Sequence, residues 1–96
     1  EPVQIVLNMV NSSGSRISND AMQLLHTAMQ DIERQGFNQS RTFGNGRFAR
    51  NLVARAEQEQ AVRLSQLTNP SNDELTTLND HDMQAALANE IRKLRP

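Results

Sequence analysis

The 96 residues contain no cysteine, no tryptophan and no tyrosine. Without cysteine there is no disulfide, no thiolate zinc site and no thiol nucleophile. The redox compartment is left open, since a cysteine-free chain survives in either. Three phenylalanines are the only aromatic residues, few for the stacking platforms on which single-stranded nucleic acids lie. A charge excess is missing too: ten basic residues face eleven acidic ones, for a formal charge of −1. A general nucleic-acid binder usually carries a basic stripe, so this balance argues against one. No apolar run approaches the about 20 residues that span a bilayer, and no signal-peptide pattern is read. A soluble, cytoplasmic protein with no membrane partner is expected.

The length allows one domain. A chain this short buries only roughly 60–65% of its unfolded surface, so the core is small and leaves little interior for a cofactor. The sequence opens without methionine, on residues that read as helix. It is expected to be a piece of something larger.

What is present is helical periodicity. Four amphipathic helices can be drawn, and no convincing strand. The first runs from Pro2 to Ser13, with Val3, Val6, Leu7 and Val10 on one stripe. Pro2 suits a first turn, where its missing N–H is no loss, and Gly14 suits a left-handed stop. Ser18 is a good N-cap for the second helix, and Asp20 favours its positive end. Ala21, Leu25, Ala28, Met29 and Ile32 form its stripe, with Leu24 on the flank and Gly36 at its end. Residues 37–45 read as a polar connection anchored by Phe37 and Phe43. The third helix spans Gly46 to Leu67, with Phe48, Leu52, Val53, Ala56, Leu64 and Leu67 on one side. Residues 69–73 read as a turn-rich loop. Asn79 and Asp82 then stand at capping spacing before a fourth helix. Its stripe is Met83, Ala86, Leu87, Ile91 and Leu94, and Arg92, Lys93 and Arg95 suit its negative end. An all-α bundle of four helices follows.

Arg47 sits where local physics does not favour it. At 100° per residue it lies roughly opposite the apolar stripe of the third helix. In the first turn, the macrodipole disfavours a cation by a few tenths of a kcal/mol or more. Gly44 and Gly46 flank it, and a helical glycine costs about 1 kcal/mol relative to alanine. Local costs of this kind tend to persist at functional sites. Two readings stay open. In one, the helix N-terminus, the small glycines and a forked guanidinium together bind phosphate. In the other, Arg47 is a solvated surface arginine behind a loop.

Resemblance bears on that choice. The stretch Phe43-Gly44-Asn45-Gly46-Arg47-Phe48-Ala49-Arg50-Asn51, continuing to Gln60-Ala61-Val62-Arg63-Leu64, resembles the C-terminal helical lid of the CbxX/CfqX group of AAA+ ATPases. That group includes red-type Rubisco activases, with sporulation and type VII secretion ATPases as relatives. Residues 73–82 resemble the same lid before its last helix, and the opening helix with Arg16-Ile17-Ser18 also fits. The likeness covers nearly the whole chain. It implies an all-α, four-helix AAA+ lid-type bundle and makes residues 1–96 a single small domain, a fragment without its P-loop domain. It implies that Arg47 is similar to the sensor-2 arginine, which reaches the γ-phosphate of ATP, with Gly44, Asn45 and Gly46 beside the nucleotide. Gly46 departs from the family, where alanine is more usual. Arg50 is an alternative carrier, or part of an interface to the ATPase domain.

The chain itself carries no Gly-x-x-x-x-Gly-Lys-Ser/Thr loop and no acidic residue after an apolar strand to hold Mg²⁺. The fragment alone is therefore not expected to be an enzyme. Its parent is expected to hydrolyse ATP, with Mg²⁺ held by the P-loop domain. The implied partners are that upstream domain and the neighbouring subunits of a hexameric ring. Ile5 and Met9 lie off the main stripe of the first helix, either as ordinary exposed residues or facing the ATPase domain. His26 reads as a surface or partly buried histidine. Asp80-His81-Asp82 reads as helix capping, because three neighbours on a helix point in different directions. No metal site is expected. The competing function is a free-standing helical protein–protein interaction module that uses exposed apolar side chains such as Ile5 and Met9. A nucleic-acid module using Arg41, Arg47, Arg50 and Arg55 fits the acidity and scarce aromatics least.

Overall fold

The computed structural model describes residues 2–36 and 46–94. Along the chain these form α1 (Pro2–Ser12), β1 (Arg16–Ile17), α2 (Asn19–Arg34), α3 (Arg47–Ser65), α4 (Asn72–Thr76), β2 (Thr77–Leu78) and α5 (Asp80–Leu94). The domain is all-α in architecture, as the periodicity implied. The four expected helices are α1, α2, α3 and α5; among the described residues the structure adds a single-turn helix and two strands of two residues each.

The expected stripes make the core. Val3, Val6 and Val10 of α1 are buried, as are Ala21, Leu25, Ala28, Met29 and Ile32 of α2. Phe48, Ala49, Leu52, Val53 and Ala56 come from α3, and Met83, Ala86 and Leu87 from α5. Each large apolar side chain so buried contributes about 1.5–3 kcal/mol. The most extensive packing joins α3 to α5, followed by α2 against α5 and α1 against α3. Ser18 caps α2 as expected, its hydroxyl accepting from the Ala21 N–H at 3.1 Å.

The predicted stripe of α3 fails at its far end. The helix stops at Ser65, so Leu67 falls outside it and is exposed, and Leu64 is only half-buried. Gln60 takes the buried position instead. Its amide donates to the carbonyls of Leu75 (3.3 Å) and Thr77 (3.2 Å), which ties the next connection down onto α3.

That connection is more ordered than a turn-rich loop. Ser71 and Glu74 form a reciprocal capping box: the Glu74 N–H donates to Ser71 Oγ at 3.1 Å, and the Ser71 N–H to Glu74 Oε1 at 2.9 Å. The single turn of α4 follows from that. The chain then extends into β2, which pairs in parallel with β1 in the register Arg16↔Thr77 and Ile17↔Leu78. The Ser18 N–H continues the ladder to the Leu78 carbonyl at 2.9 Å. Leu78 is fully buried, so this small clasp fastens the α1–α2 connection to the α4–α5 connection over the core. Among the described residues, no helix is long and apolar enough to cross a membrane.

Candidate functional site

The start of α3 is built by one glycine. Gly46 occupies the N-cap with φ +74°, a left-handed conformation that costs an L-residue about 1–2 kcal/mol. A Cβ at this position would meet nothing within 4 Å, so the demand for glycine comes from the backbone alone. Because Gly46 precedes the first helical residue, the helix-interior penalty expected for it does not arise. Gly44 and Asn45, named with it from the sequence, lie outside the described residues.

Arg47 is the first residue of α3 and is exposed. Its cation stands at the positive end of the macrodipole, an unfavourable placement by about 0.3–1 kcal/mol. Arg50 follows one turn later, also exposed, and i,i+3 spacing puts the two on one helix face. Neither side chain has a hydrogen bond or ion pair with a described residue.

The other described cations all have acceptors. Arg16 meets Asp73 at 2.6 Å, and Arg34 pairs with Asp31. Arg55 Nε lies 3.1 Å from Glu59 Oε2. Arg92 donates to Asn89 Oδ1 at 3.0 Å, and Lys93 Nζ to the buried carboxylate of Glu90 at 3.1 Å. Most of these pairs are exposed and worth about 0–1 kcal/mol each. They decide which cations are occupied rather than how stable the domain is.

The opposite end of α3 carries the most tightly held charge among the described residues. Arg63 grips Asp82 with two parallel bonds, Nε to Oδ1 at 3.1 Å and Nη2 to Oδ2 at 2.9 Å. Nη2 also donates to the Thr77 carbonyl at 3.1 Å. The Asp82 side chain is 2% exposed and that of Arg63 22%. Asp82 has a second task, since its Oδ2 accepts from the Asn79 N–H at 3.0 Å. Asn79 Oδ1 in turn accepts from the Asp82 N–H at 3.0 Å. This is the capping arrangement expected at that spacing. The pKa of the Arg63 guanidinium is raised, first by its hydrogen bond to Asp82, with burial working in the other direction.

The sequence reading found the Asn79–Asp82 cap but missed Arg63 and Gln60. A signal was present: both lie at helical spacing from Ala56 on the inward side of α3, where a polar residue needs a buried partner. The remaining candidates divide. Ile5 is 37% exposed, whereas Met9 is half-buried against the core. His26, Asp80 and His81 are exposed while Asp82 is buried, so the Asp80-His81-Asp82 run does not converge. Among the described residues, no group of three His, Cys, Asp or Glu side chains could hold a metal ion.

Fold and site together define a small helical accessory domain that presents two unengaged guanidiniums at the mouth of its longest helix. The family follows: a model of the AAA lid domain matches residues 1–93, and the chain belongs to that family. A lid of this kind is part of an AAA+ ATPase, a class whose members usually assemble into oligomeric rings. No curated protein and no solved structure matches the chain.

Proposed function

We propose that this lid closes over ATP held by the P-loop domain of its ATPase, with Arg47 as the sensor-2-like contact to the terminal phosphate. ATP and Mg²⁺ are bound by that domain, and the lid completes the enclosure. Movement of the lid then couples nucleotide state to the neighbouring subunits of a hexameric, cytoplasmic ring, as a hinge-type transition. The resemblance of residues 43–51 and 73–82 points within the family to the CbxX/CfqX group.

One observation supports Arg47 in particular. It opens the longest helix of the domain, exposed and without an acceptor among the described residues, at the helix end where a cation is least favoured. A planar guanidinium fork matches phosphate oxygens, and the first-turn N–H dipoles favour the same anion. In this reading the exposed Ile5 faces the ATPase domain. Gly46 sets the left-handed entry into α3, and Gly44 and Asn45 are proposed with it as nucleotide-binding residues. The alternative, a free-standing interaction module, has behind it the exposure of single apolar side chains, Ile5, Val62, Leu67 and Leu75.

The test is ATP turnover by the full-length ATPase carrying Arg47→Ala. The expected result is a loss of at least tenfold, in line with charge-stabilising arginines in other phosphoryl-transfer enzymes, which are worth roughly 10³–10⁵ in rate. The thermal midpoint should not move. Unchanged turnover and unchanged nucleotide affinity would return Arg47 to the solvated surface.

A further inference from the structure

We infer that the groove between α3 and α5 is a docking site for an arginine side chain of the P-loop domain of the same ATPase, received by the open oxygen of Glu90. This rests on the reading of the lid given above and adds a second point of contact to it, apart from the phosphate.

The domain buries two carboxylates on α5 and treats them unequally. Asp82 is saturated: Arg63 takes both of its oxygens, and the Asn79 N–H shares one of them. Glu90 stands about two turns further on, with a side chain only 4% exposed. Its Oε2 accepts from Asn89 Nδ2 at 2.8 Å and from Lys93 Nζ at 3.1 Å. Its Oε1 accepts from no described residue. Among the described residues, every side-chain nitrogen or oxygen sealed from solvent has a partner, so Oε1 is not sealed. It opens into a groove of about 150 Å³, lined on the α3 side by Asn51, Ala54, Arg55 and Gln58. To Asp82 the helix α3 offers an arginine. Beside Glu90 it presents Asn51 and Ala54, whose short side chains leave the space open.

The groove calls for a forked cation. A carboxylate oxygen held largely out of water needs a donor, and the last carbonyls of α5 add negative potential close by. The two cations on the rim are already answered, Arg55 by Glu59 and Lys93 by Glu90 Oε2. The side-chain amides of Asn51 and Gln58 make no hydrogen bond with a described residue, and their oxygens are further acceptors. A guanidinium carries five donors in one rigid plane and can meet several of these acceptors together, whereas an ammonium is a point charge, a part Lys93 fills already. An anion would be repelled by Glu90. Size agrees, since a cavity of about 150 Å³ takes a benzene ring and the guanidinium group is smaller.

Affinity decides where the arginine comes from. A single charge-assisted contact gives a dissociation constant in the millimolar range or weaker. A partner free in solution would seldom fill the groove at that strength, but a tethered domain is presented at an effective concentration of about millimolar. The lid is part of an AAA+ ATPase, and the P-loop domain is the tethered neighbour. Periodicity adds direction: Arg47, Asn51, Ala54 and Gln58 follow at i, i+4, i+7 and i+11 on one ridge of α3. The groove therefore shares a helix face with the proposed phosphate contact.

The experiment uses the full-length ATPase as wild type, Glu90→Gln, Lys93→Ala, Arg47→Ala and Ala54→Arg, with thermal melts as the control for folding. Ala54→Arg matters most, because position 54 is exposed and an arginine there fills the groove without opening the core. The probe is L-argininamide, titrated by ligand-observed NMR with and without a non-hydrolysable ATP analogue. Without nucleotide, the wild type should bind the probe at about 1–10 mM, and lysinamide several-fold more weakly. Glu90→Gln and Ala54→Arg should abolish that binding. Lys93→Ala should tighten it about threefold by removing the competing ammonium, and Arg47→Ala should leave it unchanged, so the groove and the phosphate contact fail separately. The ATP analogue should exclude the probe from the wild type, and Ala54→Arg should weaken ATP binding about fivefold. Equal probe binding by wild type and Ala54→Arg would overturn the site. Probe binding that nucleotide does not alter, with unchanged ATP affinity in Ala54→Arg, would overturn the P-loop domain as occupant. Exclusion of the probe only at concentrations where subunits assemble would assign the arginine to a neighbouring subunit and overturn it likewise.

Discussion

At one end of α3, Arg63 is fixed by four features: two bonds to Asp82, a third to the Thr77 carbonyl, and Gln60 holding the same segment one turn earlier. At the other end, Arg47 and Arg50 have the same chemical group and none of these attachments. The difference is one of place, not of residue type. Arg63 lies where α4, β2 and α5 converge on the helix, and a nearly buried carboxylate there requires a cation. Arg47 stands exposed beside the buried Phe48 and Ala49, with no acidic residue in its helical turn. One arginine is therefore consumed by the fold, and the others are left available to a ligand.

The comparison breaks most visibly if Asp82 is removed. Asp82→Ala deletes in one step the acceptor of Arg63 and the half of the α5 cap that accepts from the Asn79 N–H, while Asn79 Oδ1 keeps its bond to the backbone N–H of residue 82. Loss of one partner from a buried pair costs about 3–5 kcal/mol, but the partial exposure of Arg63 lets water take up some of the stranded charge. A loss of about 2–3 kcal/mol is expected, read as a fall of roughly 10 °C or more in the thermal midpoint. Asp82→Asn retains an oxygen for the cap and should fall about half as far. A midpoint that did not move would mean that Arg63 is no more committed to the fold than Arg47.

Gly46→Ala tests the N-terminal end. The added methyl has open space around it, so only the left-handed backbone resists, and a cost of about 1 kcal/mol is expected. Gly46→Asn should cost less, because asparagine tolerates that conformation. If alanine were neutral in a chemical-denaturant titration, the helix would be entering by another route.

Arg47→Ala should change the stability of the domain by no more than about 0.5 kcal/mol, and upward if at all, since it relieves an unfavourable charge–dipole contact. The contrast with its proposed effect on turnover sharpens the comparison: large on function, close to nothing on folding. A marked loss of stability would place Arg47 with Arg63.

The smallest expected effect concerns pH. The pKa of Arg63 is raised in the folded state. A raised pKa stabilises fully below the unfolded value and loses that contribution as pH climbs through the folded one. For a guanidinium this window lies far above the physiological range. Between pH 6 and 10 the difference in stability between wild type and Arg63→Gln should therefore be flat. A slope in that range would assign the dependence to a different group.

Much of the bundle was legible because its signals are local. The stripes of α1 and α2 were read residue by residue, and Ser18, Gly14 and the Asn79–Asp82 cap stood where helix-end chemistry puts them. Legibility failed where the partner is distant. The α3 stripe was extended to Leu67 because leucines continue the period there, yet Gln60 and Arg63 occupy the inward face on account of carbonyls and a carboxylate from other segments. The strand pair escaped notice because two residues carry no periodicity. The short helix after Pro70 was hidden within a run that also reads as a turn, although Ser71 and Glu74 had capping-box spacing. At the candidate site, the exposed face of Arg47 and its place in the first turn followed from the helical wheel. Its lack of a partner did not, since the sequence offers acidic residues in plenty.

By itself, then, the sequence determined the class of structure, the faces of the helices and where most of them begin, because apolar spacing and helix-end chemistry act over a few residues. Only the tertiary structure decided which of the described arginines have partners and which have none, and that Arg16-Ile17 pairs with Thr77-Leu78. Those outcomes depend on segments far apart in the chain meeting in space, and a local pattern carries no information about which distant carboxylate or carbonyl will be there.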